Sequence, residues 1–411
     1  MESPSQMEPT RAAGMARLAD FVPTAARYAA ERNFVRAGHD NVARVSPWLQ
    51  KRLVLEKEVV AAVLAEWTFP ATEKFVQEVY WRTYWKGWLE QRPTAWTRLT
   101  EAVPRLRDGL RGERRNAWEA ACAGRMGIPG FDAWARELVE TGYLHNHARM
   151  WFASIWIFTL RLPWELGAAF FYEHLLDGDA ASNTLSWRWV AGLQTAGKTY
   201  LARADNIAHY TEGRFAPEPG QLATEAFAIT EEPLPKSEAW AEDGLWTASA
   251  AAGQGERTGI WLHPEDLAVE EGELSGEKFA AINAAWPAGI AARAGWSEQV
   301  TRWTRQALGD GAARAGSRFG AEVACGDTDD LAAELVGWAR DKKLRRVVAY
   351  RPFIGPWRSE GMALERALGA AGVAVTWRRR AWDTDWFPHA ARGYFPFWER
   401  VKKTLSRPQQ D

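Results

Sequence analysis

Apolar residues recur at three- and four-residue steps through most of the first half of the chain. Phe75, Val79, Trp81, Trp85 and Trp88 do so most clearly, and this period predicts a helix over 72–91. Thr72 is the expected cap and Pro93 the expected stop. A second helix is expected over 145–160, closed by Pro163, and the Gly124–Gly130 stretch with Pro129 separates two more. The region 21–215 therefore reads as helical, with 1–20 as a disordered tail. From 216 to 257 the pattern breaks. Pro217, Pro219, Pro233 and Pro235 stand among acidic and small residues, the composition of a linker or extended segment.

The grammar then changes. Residues 259–262, 346–350 and 373–377 read as strands, alternating with helices over 331–341 and 360–371. Strands alternating with helices imply a mostly parallel sheet, so 258–405 is expected to be a smaller α/β domain behind an all-helical one. Neither common Gly-rich phosphate loop is present, so this region lacks a Rossmann dinucleotide fingerprint.

Composition narrows the function. The 411 residues suit two domains, and 47% hydrophobic content supplies their cores. A formal net charge of −1 confines any nucleic-acid site to a local patch. The Arg105, Arg107, Arg111, Arg114, Arg115 and Lys342, Lys343, Arg345, Arg346 clusters read as solvated faces. Two distant cysteines, Cys122 and Cys325, exclude a disulfide framework and fit a reducing cytoplasm. The apolar run 150–160 is too short to span a bilayer. The 25 Trp exceed what packing needs, and two readings stand: large, Trp-filled cores, or aromatic surfaces for stacking and Trp chains that carry electrons.

The chemistry concentrates in 142–189. There His145-Asn146-His147-Ala148-Arg149-Met150 precedes Asp177-Gly178-Asp179-Ala180-Ala181-Ser182-Asn183, and Trp187 and Trp189 follow. Arg149 opposite Asp177 makes sense as a buried pair, since each satisfies the other. Asn183 offers both a donor and an acceptor. A calcium loop starting at Asp177 fails, because its sixth and twelfth positions are Ser182 and Arg188. A flat, polar-edged, redox-active ring calls for groups of this kind. Glu78, Trp81 and Arg82 share one helix face.

These segments together resemble the DNA photolyase and cryptochrome family. Gln77-Glu78-Val79-Tyr80-Trp81-Arg82-Thr83-Tyr84-Trp85 is similar to its Glu-Leu-x-Trp-Arg-Glu-Phe-Tyr signature. The 28–34 segment, Arg44-Val45-Ser46-Pro47, Trp118, the 124–129 turn and Thr141-Gly142-Tyr143-Leu144-His145-Asn146 keep the family order. The resemblance implies an FAD-binding helical domain with Tyr28, Ser46, Arg82, Arg149, Asp177, Asp179 and Asn183 at the cofactor. Asp179 would accept from a ring N–H, and Asn183 would face N5. Glu78, Trp81, Asn146, Met150 and Trp189 would receive a flipped-out pyrimidine dimer, Trp81 and Trp189 as walls. In the family, light moves an electron from the reduced flavin to the dimer, and a Trp chain re-reduces the flavin; Trp187 and Trp164 match its inner and middle members. Catalysis would thus rest on Trp187, Trp164, Asn183 and Glu78. Asn146 and Met150 are the choices of cyclobutane-dimer enzymes, and the (6-4) class has His at both.

The departures matter. Val42-Ala43 stand where the family has Thr-Ser hydroxyls for the cofactor phosphates. The stretch expected to hold the outer Trp has none, which leaves Trp151, Trp156 or another Trp as substitute, or an impaired photoreduction. The α/β region follows the helical one instead of preceding it, yet 348–368 and Tyr394-Phe395-Pro396-Phe397-Trp398 resemble the family's antenna domain. The expectation is a circularly permuted, monomeric, cytoplasmic deoxyribodipyrimidine photo-lyase acting on damaged DNA. The antenna pigment is unknown and no metal is expected. The alternatives are a cryptochrome-like photosensor without repair activity, and a structural homologue that binds no FAD.

Overall fold

The computed structural model describes residues 7–195, 197–235 and 256–406. Helices fill the first half. Those that carry the argument are α1 (Arg11–Phe21), α2 (Phe69–Glu90), α3 (Asn146–Ser154), α4 (Trp164–His174) and α5 (Ala180–Val190).

The tail expected over 1–20 is in fact a docked element from residue 7 onward. The Thr10 side chain accepts from Ala13 N and starts α1, which buries Leu18 and Phe21. Arg11 pairs with Glu58 at 2.6 Å, and Trp303 Nε1 donates to Met7 O. The apolar positions of α1 are mostly alanines spread around the helix, so no clear period shows, and long-range partners order it.

Helix α2 starts one turn before the expected Thr72. Pro70 sits in its first turn, where the missing N–H costs nothing. Thr72 is no cap; its hydroxyl donates to Thr68 O at 3.2 Å. α2 ends at Glu90, just ahead of the expected stop Pro93, which also stands immediately before the next helix, Thr94–Gly109. The helix expected over 145–160 divides into α3 and a π-turn, Ile155–Thr159. Residues 216–235 carry no helix or strand, yet Arg188 pairs with Glu231 at 2.6 Å and ties them to the helical layer. The rest of the proposed linker, 236–255, lies outside the described residues.

The second half contains a five-stranded sheet: β1 (Thr258–Trp261), β2 (Ala281–Pro287), β3 (Glu322–Thr328), β4 (Arg346–Tyr350) and β5 (Ala374–Arg378). Its order is β3-β2-β1-β4-β5 and every pairing is parallel, with Ile260 in register with Ile282 on one side and Val348 on the other. β2 and β3 are additions to the strands expected from sequence. β2 is buried at every position and so shows no alternation, whereas β3 is largely exposed.

Two devices join the halves. Buried Arg52 bonds Asp383 at 2.5 Å and Asp266 at 3.2 Å, while Arg380 bonds Asp266 at 2.6 Å. The segment leading to α6 (Tyr394–Leu405) packs along α2. Gly87 makes this possible, since a Cβ there would lie 2.8 Å from Phe387 Cα. One apolar cluster consequently runs from α1 and α2 into the sheet.

Candidate functional site

A cavity of about 780 Å³ opens between α2, α3, α5 and the 42–46 loop, large enough for a dinucleotide-sized ligand. It is lined by Tyr28, Ser46, Glu78, Trp81, Arg82, Asn146, Arg149, Met150, Asp177, Asp179, Asn183, Trp187 and Trp189. Of the residues expected at the cofactor, at the dimer or in catalysis, only Trp164 is outside it, and the substitute Trp151 and Trp156 do not line it either. Trp164 is buried on α4 beneath the Arg188 guanidinium, and the indole beside Trp187 is that of Trp156, 6.3 Å away between centroids. Trp187 packs so closely on α4 that a Cβ at Gly167 would lie 2.3 Å from its ring.

The acidic turn is built as the sequence implies. Arg149 Nη2 bonds Asp177 Oδ2 at 2.9 Å and Arg149 Nε donates to Leu144 O at 2.8 Å. Burial raises the Asp177 carboxyl, but Arg149, Ser46 and Arg82 outweigh it and hold the pKa below the ordinary range. Asp179 caps α5 by accepting from Ser182 N at 2.8 Å. Its other oxygen pairs with Lys86 Nζ at 2.6 Å. Burial again opposes ionisation there, and Lys86 and Arg82 overcome it. Lys86 was not singled out from sequence. The signal was a lone cation in a stretch of α2 whose other members, 83–89, are apolar, small or hydroxyl-bearing.

Asn183 Nδ2 donates to Ala168 O at 2.8 Å, which orients the amide. Glu78 is paired with Arg32 and not with Arg82 four residues on. Desolvation raises the Glu78 carboxyl while Arg32 works against it. Trp189 stacks on Tyr200. Trp81 lies flat under Tyr394, centroids 3.3 Å apart at 7°, so one of its faces is covered by a residue from the far end of the chain. His145 and His147 also line the cavity. His145 is pushed down to about 3, first by burial and then by His39, His147 and Arg149.

Val42 and Ala43 are buried, and their carbonyls accept from Arg17 at 3.0 and 2.8 Å. That loop therefore offers no side-chain donors, while Arg44 and Ser46 beside it reach the cavity. Several buried polar atoms of the lining have no protein partner: Arg82 Nη1, Ser182 Oγ and His145 Nε2. Buried polar groups need partners, and a cofactor with phosphates, ribityl hydroxyls and a polar ring edge supplies them. The lining fits FAD.

A second hollow lies at the carboxyl ends of β1 and β4, the point where ligands bind in open parallel sheets. Here it holds only about 10 Å³, the space of one water. Glu265, Phe353, Trp357, Lys51 and Lys86 fill it, and Glu265 accepts from Phe353 N at 2.7 Å. Burial raises Glu265 to about 7 and lowers Lys51 to about 8. An aromatic pigment does not fit there. Among the described residues no group of acidic, His and Cys side chains is placed to hold a metal ion, and no helix is long and apolar enough to cross a membrane.

Residues 75–215 match the family model of the FAD binding domain of DNA photolyase. The chain is 34% identical over 188 residues to the deoxyribodipyrimidine photo-lyase of Streptomyces griseus, covering 41% of this chain and 40% of that one. It is 32% identical over 219 residues to a deoxyribodipyrimidine photo-lyase of Thermus thermophilus, covering 51% and 50%. Over 157 residues it is 31% identical to the cryptochrome DASH of Idiomarina loihiensis, covering 36% and 34%. The chain thus spans half or less of the length of these relatives. Residues 75–215 thus match the FAD binding domain of DNA photolyase, and over this region the chain is similar to photo-lyases and to a cryptochrome DASH.

Proposed function

We propose that the protein repairs cyclobutane pyrimidine dimers in DNA, driven by light. The observation that carries this reading is the convergence of Glu78, Trp81, Asn146, Met150 and Trp189 on the cavity that also holds Asp177, Asn183 and Trp187. Arg149, Asp177, Asp179, Arg82, Tyr28 and Ser46 would hold FAD. Bound FAD, reduced and illuminated, would lend the electron that opens the cyclobutane ring and recover it from the split product, leaving no net change of oxidation state. The chain's own residues do the rest. Asn183, its amide held by donation to Ala168 O at 2.8 Å, would have its oxygen left to face the cofactor. Glu78 and Asn146 hydrogen-bond the dimer's base edges. Met150 and the Trp81 and Trp189 rings exclude water from it and replace the stacking lost on extrusion. Trp187 would pass an electron to FAD in its oxidised state and would itself be restored by an external reductant.

The test uses reduced, FAD-loaded protein with a thymine-dimer oligonucleotide under blue light. Recovery of intact thymines is expected. A flavin-loaded protein that leaves the dimer intact overturns the reading and favours a photosensor. That second reading draws support from Tyr394, which covers one face of Trp81, and from the apolar Val42-Ala43 pair.

The arrangement of parts is a proposal of the same kind. A helical domain over 21–215 precedes an antenna-like α/β domain over 258–405, in the reverse of the family order. The all-parallel sheet and the packing of 387–405 along α2 support a circular permutation.

A further inference from the structure

The cavity mouth is bordered by α6, and two adjacent residues there behave differently. Tyr394 is buried, stacks on Trp81 and donates its hydroxyl to Gln77 O at 2.9 Å. Phe395, the next residue, lines the same cavity and is 73% exposed, the largest value among the exposed large hydrophobic side chains. Its backbone is held firmly, because Tyr394 and Phe397 on either side are both buried. A firmly mounted, solvent-facing aromatic ring that lines a ligand-sized cavity offers an apolar surface to whatever approaches that cavity. Exposed cations flank it, Arg392 before α6 and Lys403 two turns into it.

A protein that extrudes nucleotides leaves a gap in the base stack, and apolar side chains commonly fill such gaps. Resting on the reading of DNA as substrate, we propose that Phe395 is the wedge that enters the duplex beside the extruded dimer, with Arg392 and Lys403 contacting phosphates. Tyr394 is then a positioning residue that braces Trp81 from behind. The C-terminal segment thereby shares in lesion recognition, although the flavin site lies in the helical half.

Single-stranded DNA needs no wedge, and this separates the idea from a general contact. Full-length, FAD-loaded protein is titrated in the dark with three labelled probes: a duplex carrying one thymine dimer, the same strand alone, and the undamaged duplex. Phe395→Ala is expected to weaken dimer-duplex binding about tenfold, to leave the single strand almost unchanged, and to retain full flavin content. Phe395→Leu should recover part of the loss. Equal weakening on both damaged probes, no weakening on the duplex, or a wild type with no preference for the dimer duplex overturns the wedge. If the wild type prefers the dimer duplex, loses that preference in Phe395→Ala, and yet splits no dimer, the wedge stands and the repair reading falls. If it splits dimers and the variant binds as wild type, the wedge alone falls.

Discussion

Lys86 Nζ and Asp179 Oδ2 lie 2.6 Å apart with both side chains 4% exposed, and this pair joins the two hollows of the molecule. Asp179 faces the large cavity and the closed crevice of the sheet alike. Lys86 also rests 3.9 Å from the Phe353 ring centroid, beyond β4. The carboxylate at the flavin cavity is therefore held by a cation that the α/β half keeps dry.

Lys86→Met should leave Asp179 charged, buried and unpartnered. A loss of about 3–5 kcal/mol in unfolding free energy is expected, with reduced flavin content on purification. Lys86→Met combined with Asp179→Asn should recover part of the stability, since the two effects belong to one contact. Urea titration of the wild type, both single variants and the double variant measures this, and full additivity of the single losses would count against it.

His145 imposes a pH dependence of known sign. The folded state keeps its imidazole neutral, with the pKa lowered to about 3 by burial and by neighbouring His39, His147 and Arg149. Its contribution is complete above the unfolded value of about 6.5 and drains as pH falls toward about 3. The slope reaches at most about 1.4 kcal/mol per pH unit. His174 and His263, both lowered to about 4 by burial, add to the same trend. The wild-type stability curve minus that of His145→Asn isolates the single group, and this difference should fall steadily as pH drops from about 6.5 to about 4.5.

Electron return should follow ring contacts. Trp156 sits 6.3 Å from Trp187, and Trp→Phe keeps most of the packing. Under blue light with an external reductant, Trp187→Phe should abolish flavin photoreduction. Trp156→Phe should slow it several-fold, and more than Trp164→Phe does. The reverse ranking would return Trp164 to the middle of the chain.

Arg52 anchors the two halves. Arg52→Met strands Asp383 in the interface and leaves Asp266 with Arg380 as its partner, and thermal or chemical unfolding should register a loss of about 3–5 kcal/mol. Arg203→Ala removes an exposed pair with Asp205 and should leave the unfolding midpoint where it was.

The sequence by itself determined the ingredients of the site. Glu78, Trp81, Asn146, Met150, Asp177, Asn183 and Trp187 were legible because helical spacing and a tight turn hold such groups within a few residues of one another, and because their joint pattern resembles a family. β4 and the helix after β3 were legible from short apolar runs and amphipathic period. Contacts between distant segments were not. α1 looked like a tail since its order comes from Glu58, Asp310 and Trp303. Arg32 as the partner of Glu78, Lys86 as the partner of Asp179, and Tyr394 on Trp81 all join residues whose sequence neighbours say nothing of one another. Local propensity acts over a turn or two of chain, whereas desolvation acts on whatever the fold brings together. The tertiary structure alone decided which charges are buried, which partners neutralise them, and which aromatic ring is left facing water.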